Sequence, residues 1–419
     1  MTTLSRFVAL VSVAVLFSQA AEGASRRSIL NASVNGPARY LVALNDGVDD
    51  VASVADELTA KHHGRVSRLL RRAIHGFTVE MSAASASELL DEREVAYVEQ
   101  DSMTSGGTTG ATMRHASALD TQTAPPSWGL DRIDQRDLPL NQRYVYTATG
   151  RGVTAYIVDS GINATHVEFG GRVRNGFNFS TTLPAGDCNG HGTHVAGIVG
   201  SSVHGVAKDV SLVSVRVLDC QNRGFTSDMV AGIDWAMGDH QIGQAAVMNL
   251  SIYTDSPSTS VDAAINLAIA DGITVCVLAG NGTANNFVAT DACTITPARV
   301  TNAITVSATN ILDVRSSFAN FGNCVDIFAP GEQIESTWFT SDTATAFDSG
   351  TSMATPHVTG AAALYLESHP NATPATVAFE LIANASMNKI ANAGTGSPNR
   401  LLFTGGVQIP LRRPASGKP

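Results

Sequence analysis

Three short islands of this 419-residue chain carry side chains that together could attack a carbonyl group. Val158-Asp159-Ser160-Gly161 comes first, Asn189-Gly190-His191-Gly192-Thr193-His194 second, and Gly350-Thr351-Ser352-Met353-Ala354-Thr355-Pro356-His357 third. A serine hydroxyl is nearly inert until a base takes its proton as it attacks, and a carboxylate fixes the base's tautomer and stabilises its charged form. Ser352 is the candidate nucleophile, His191 the base and Asp159 the orienting carboxylate. Their order along the chain is informative, because the same constellation on other folds runs His, Asp, Ser or Ser, Asp, His. Ser352 also suits the N-cap of a helix, with Pro356 in its first turn. The two roles are compatible, since a helix start aims free N–H groups and partial positive charge at a developing oxyanion.

These islands need a rigid frame. From Gly152 onward, short apolar runs alternate with helical stretches. Residues 152–158, 211–217, 246–250, 274–278 and 303–306 read as buried strands, and 194–201, 227–237, 260–271 and 352–367 as helices. Repeated β then α implies an α/β fold, a parallel sheet covered on both faces. Ligands on such sheets bind at the carboxyl ends of strands, and Asp159 ends one. His194 and His357 fall on helices as structural residues. Reading the histidines as metal ligands lacks the glutamate of the zinc-protease pattern.

On these islands, and on segments from Trp128-Gly129-Leu130-Asp131 through Ser397-Pro398-Asn399-Arg400, the chain resembles the subtilisin-like serine proteases, in particular the proteinase K branch and its aqualysin type. The resemblance implies a mostly seven-stranded parallel sheet with helices on both faces, preceded by a small α+β propeptide domain. It assigns Asn281, in Leu278-Ala279-Gly280-Asn281, to the oxyanion hole; the plainer reading of Asn281 is a glycosylation sequon with Thr283. Loss of one such donor typically costs about 100- to 1,000-fold in turnover. The segment Arg223-Gly224-Phe225 would pair with extended substrate backbone. Ser251-Ile252-Tyr253 and Leu278 with Gly280 would line the primary specificity pocket. There the chain departs from the family, with Tyr253 for a glycine and Leu278 for an alanine. Both substitutions should narrow or reshape the pocket unless Tyr253 turns outward, and imply a small or slender apolar residue before the cut bond.

The same resemblance pairs Cys188 with Cys220 and Cys293 with Cys324, leaving Cys276 of the five cysteines as a buried thiol. It also implies structural calcium at Asp326, completed by carbonyls near Thr301 and Ala303. No catalytic cofactor is expected.

Residues 1–20 have a basic start at Arg6 and an apolar run from Phe7 to Phe17, as in a signal peptide cut after Ala20 or, alternatively, Gly23. The run is too short to span a bilayer and no second one follows. Export is therefore expected, to the outside or to a vacuole. The net charge of −10 argues against a nucleic-acid groove. Residues 24–101 read as the inhibitory propeptide domain, with strands at 39–44, 75–81 and 95–99, helices at 51–63 and 83–92, and a basic cluster at Arg65, Arg68, Arg71 and Arg72. Residues 102–124 read as a flexible linker holding the maturation site, 125–406 as the catalytic domain and 407–419 as a flexible tail. The expected function is a secreted, self-processing serine endopeptidase, monomeric, acting on proteins or peptides and inhibited by its own propeptide. Two rivals share its residues: a catalytically weak homologue that binds peptides or proteins, and an esterase or acyl transferase.

Overall fold

A computed structural model describes residues 28–33, 38–107, 112–114, 122–184, 186–282 and 287–405. The expected signal peptide and tail lie outside the described residues. Seven parallel strands form the frame, in spatial order Ile327–Pro330, Ile304–Thr309, Thr274–Leu278, Ala246–Leu250, Thr154–Asp159, Ser211–Arg216 and Val173–Asn178. Two-residue strands Arg400–Leu401 and Ser386–Met387 extend it at the Ile327–Pro330 edge, giving nine where seven were expected. Strands this short carry no sequence periodicity of their own.

Alternation along Thr154–Asp159 explains why both faces are covered. Ala155 and Ile157 enter one core, with Val195, Ile198 and Val358. Tyr156 and Val158 enter the other, with Val230, Ile233, Val261 and Ile265. The helices His191–Gly200 and Thr351–Ser368 thus share one face, and Thr226–Asp239 and Thr259–Ala270 the opposite one. The Thr351–Ser368 helix is buried from Thr351 through Leu366, so periodic patterning is weak along it.

Residues 39–100 form a separate four-stranded antiparallel sheet, with helices Val51–Lys61 and Ala83–Glu88 over its own core of Val42, Leu58, Phe77 and Val98. Its strand Arg65–Leu70 holds two arginines of the basic cluster, Arg65 and Arg68. Arg71 and Arg72 instead donate their backbone N–H groups to Asp234 of the Thr226–Asp239 helix, together with Ala73.

Two carboxylates of this module cap helices of the main domain. Glu99 accepts from Ser258 Oγ at 2.6 Å, Ser260 N at 2.9 Å and Ser260 Oγ at 2.8 Å, at the start of Thr259–Ala270. Asp101 accepts from Ser227 N at 2.9 Å and Ser227 Oγ at 2.6 Å, at the start of Thr226–Asp239, whose N-cap Phe225 has no side chain that can serve. Helix starts carry orphan N–H donors and a positive end, so both contacts are favourable.

The stretch expected to be a flexible linker is partly ordered. Met103–Gly106 is a strand inserted between Arg223–Phe225 and Ile252–Thr254, antiparallel to both, and Thr112–Arg114 pairs with Thr345–Asp348. Its composition gave no sign of this because the order comes from partners more than 100 residues away.

Candidate active site

Asp159 ends its strand fully buried, and its Oδ1 accepts from Ser160 N and from His191 Nδ1, each at 2.7 Å. His191 opens a helix behind Gly190, whose φ of +113° and 2.4 Å clearance from Trp338 for any Cβ require glycine. The loop before it is fastened by Asp187, which accepts from Asn189 N, Gly190 N, Thr193 N and Thr193 Oγ1. Ser160 Oγ donates to Asp187 and accepts from Gly192 N, joining the aspartate and histidine loops. Burial pulls the His191 pKa down, but the Asp159 charge and hydrogen bond, with Asp348 and Asp187 beyond, overcome it and hold the ring above its ordinary value.

Ser352 is the second residue of its helix, so the N-cap reading is corrected: Gly350 stands there, and Pro356 lies in the second turn. Pro356 has no N–H to give the Ser352 carbonyl. Ser251 Oγ donates to that carbonyl instead, at 2.9 Å, and Ser352 Oγ donates to the Ser251 carbonyl at 2.8 Å. His191 Nε2 is buried without a partner, so it is free to accept a proton.

Asn281 is aimed by Thr351, whose N and Oγ1 donate to its Oδ1 at 2.9 and 2.8 Å. That leaves its Nδ2 to donate to the carbonyl oxygen of Gly107 at 2.6 Å. An ideal Cβ on Gly107 would lie 2.8 Å from Ser352 Oγ, and Gly107 N donates to the Ser251 carbonyl at 3.2 Å. The chain's own segment therefore lies across the site, with the Gly107 carbonyl in the Asn281 donor position.

The residues expected to hold substrate surround this segment. Arg223, Gly224 and Phe225 face Ser105, Thr104 and Met103, and Ile252 and Tyr253 face Gly106 and Ser105 from the other side. Leu278 is fully buried, with Cδ2 3.5 Å from a Cβ built on Gly107. Gly280 has a φ of +96° and donates its N–H at 3.2 Å to Thr351 Oγ1, the same hydroxyl that donates to Asn281. Asn222, which the sequence reading passed over, touches Gly106; it stands in a turn beside Asp219 with a left-handed φ of +62°.

His194 and His357 take no part. Burial lowers them to about 3 and about 4, and their ring nitrogens face the carbonyls of Ile334 and Ala346, and of Met353. Cys188 is bonded to Cys220 and Cys293 to Cys324, and burial pushes the free Cys276 thiol up to about 12, an unreactive state.

Asp326 accepts from Thr305 N at 2.9 Å, and the turn holding Thr301 and Ala303 leads into that same strand. Burial raises Asp326 to about 6, so a hard divalent cation that kept it ionised fits the donor chemistry. Elsewhere, Asp134 Oδ1 and its neighbour Gln135 Oε1 are among the buried oxygens that lack a donor.

The family model described as the subtilase family, Peptidase S8, matches residues 150–405, well over half of the chain. The chain belongs to the subtilase family. It is accordingly a serine-type peptidase, of a family that commonly binds structural calcium and needs no catalytic cofactor. It is 49% identical over 343 residues to an extracellular serine proteinase of Thermus sp. (strain Rt41A), covering 81% of this chain and 78% of that one. It is 41% identical over 350 residues to alkaline serine exoprotease A of Vibrio alginolyticus, covering 83% of this subtilase and 62% of the relative. Among solved structures, a cold adapted subtilisin-like serine proteinase matches with 46% identity and a TM-score of 0.62, covering 67% of this chain and 98% of that one. Fervidolysin from Fervidobacterium pennivorans, at 23% identity and a TM-score of 0.73, shares the fold, over 93% of this chain and 64% of its own.

Proposed function

We propose that this subtilase is a secreted endopeptidase made as a zymogen that cuts itself between Gly107 and Thr108. The observation that carries the reading is the Gly107 carbonyl, held by Asn281 Nδ2 at 2.6 Å with Ser352 beside it while the strand before it is clamped on both edges. An uncut chain bound in this way is a substrate in waiting.

In the reaction, Ser352 Oγ turns from the Ser251 carbonyl to His191 Nε2, gives up its proton and bonds to the Gly107 carbonyl carbon. Negative charge moves to the carbonyl oxygen, which Asn281 Nδ2 and the backbone N–H of Ser352 stabilise. His191, now charged and paired with Asp159, returns the proton to the Thr108 nitrogen as the peptide C–N bond breaks. Water then hydrolyses the Gly107 ester by the same proton route. Export follows from the leader-like first 20 residues and from the extracellular naming of the Thermus relative; among the described residues no helix is long and apolar enough to cross a membrane. Residues 24–101, docked through Glu99, Asp101 and Arg71–Ala73, act as the inhibitor after the cut, and calcium at Asp326 and the Asp134–Gln135 turn steadies the fold.

Digestion of an unfolded protein by the wild-type chain and by Ser352→Ala tests the activity, and paired amide and ester substrates separate a peptidase from an esterase. Ester turnover alone, with amides untouched, would overturn the reading.

A further inference from the structure

We infer that Asn222 restricts the second residue before the scissile bond to glycine, so that this enzyme selects polypeptide sites with glycine there followed by glycine or another small residue, its own Gly106-Gly107 among them. The inference rests on the endopeptidase reading above.

A Cβ added to Gly106 would lie 2.2 Å from Asn222 Nδ2, 2.6 Å from its Oδ1 and 2.7 Å from its Cγ. All three distances are well inside van der Waals contact, and Cγ is not the free end of a long side chain. The backbone beneath cannot retreat. Asn222 N donates to Asp219 O at 3.1 Å, Asp219 N to Arg223 O at 2.7 Å, and the Asp219 carboxylate accepts from Gln221 N and Arg223 N. The Cys188–Cys220 disulfide ties the same turn to the loop ahead of His191. The substrate strand is equally fixed, since Gly106 N donates to Asn222 O at 3.3 Å. What would have to give is the Asn222 side chain itself, whose rotamers its left-handed backbone at φ +62° restricts.

The position of Gly107 is less strict. Its Cβ would meet Ser352 Oγ at 2.8 Å, a hydroxyl that swings away when it turns to His191, and then Asn281 Nδ2 at 3.2 Å and Leu278 Cδ2 at 3.5 Å. Small side chains can therefore follow the glycine, whereas none is admitted in its place. Asparagine is among the side chains that tolerate a left-handed φ, and glycine does so at no cost. Asn222→Gly thus removes the obstruction without straining the turn.

The test uses mature wild-type and Asn222→Gly enzyme with two fluorogenic peptides, Thr-Ser-Gly-Gly and Thr-Ser-Ala-Gly, each cut after its last glycine. Wild type should favour the first by about tenfold or more in kcat/KM, the scale on which one misfitting carbon acts in a closed pocket. In Asn222→Gly that ratio should collapse towards unity. A Gly106→Ala zymogen should likewise mature more slowly, and should regain speed when Asn222→Gly is added. Equal cleavage of both peptides by wild type, or an unchanged ratio in the variant, would overturn the subsite while leaving the peptidase reading intact. Failure to cut either peptide, together with failure on an unfolded protein, would sink the peptidase reading and the subsite with it.

Discussion

Asn281 Nδ2 lies 2.6 Å from the carbonyl oxygen of Gly107, and the other end of its amide is held by both donors of Thr351. The donor is thus aimed in advance at the atom that gains charge, so no reorganisation is needed as the bond breaks. Asn281→Leu should lower kcat by about 100- to 1,000-fold with KM little changed, because the contact strengthens only in the transition state. Steady-state kinetics on an amide substrate checks it; an effect confined to KM would contradict it.

His191 must be neutral to accept a proton, and its surroundings raise its pKa. The rate should therefore fall in acid with a midpoint above about 6.5, the ordinary histidine value. The linkage has the matching sign: the charged His191–Asp159 pair stabilises the fold at low pH and loses that contribution as pH rises through the raised value. Asp159→Asn should shift the acid limb downward and cut kcat by about 10,000-fold through loss of the correct tautomer. A pH profile of kcat/KM for both proteins decides it.

Glu99 and Asp228 are buried where the residue 39–100 sheet meets the main domain, and desolvation raises both, Glu99 against the hydrogen bonds from Ser258 and Ser260, and Asp228, to about 6, against the nearby Arg39 and Arg68. A carboxyl with a higher pKa docked than free binds protons more readily when docked, so docking is strongest in acid and weakens as pH rises through the docked value. After self-cleavage, the propeptide should co-elute with the enzyme at pH 5 and separate more readily at pH 8. Glu99→Ala leaves Ser258 and Ser260 donors unmet, at about 1–3 kcal/mol, and should loosen docking at every pH. Size-exclusion profiles show either result directly.

How much of this was legible in the residues depends on how far each feature reaches along the chain. Asp159, His191 and Ser352 sit in compact motifs, each carrying its own helix start or strand end, so type and spacing sufficed to single them out, whereas Asn281 was assigned only through the family resemblance. Five of the seven main strands were visible as apolar runs. Val173–Asn178 was missed because it is a polar edge strand with only one neighbour. The inserted strand Met103–Gly106 was missed for a different reason: small polar residues there gain order only from Arg223–Phe225 and Ile252–Thr254. The obstruction of Gly106 by Asn222 depends on a turn geometry that sequence patterning does not encode.

Calcium should add stability through Asp326 and the Asp134–Gln135 turn, where burial raises the aspartates to about 6 or orphan oxygens face inward. A chelator should lower the melting temperature, and restoring calcium should reverse it. Asp326→Asn should reduce the chelator effect by removing one ligand charge. Identical melting curves with and without chelator would contradict the assignment.

The most direct test is intact mass and N-terminal sequencing of the purified chain beside its Ser352→Ala form, each with and without a serine-phosphonylating reagent. The unmutated protein should begin at Thr108 and gain one adduct, while Ser352→Ala should keep its Gly107–Thr108 bond and gain none. Equal processing of both chains at that bond, or an adduct on Ser352→Ala, would contradict the assignment of Ser352 as the nucleophile that matures this enzyme.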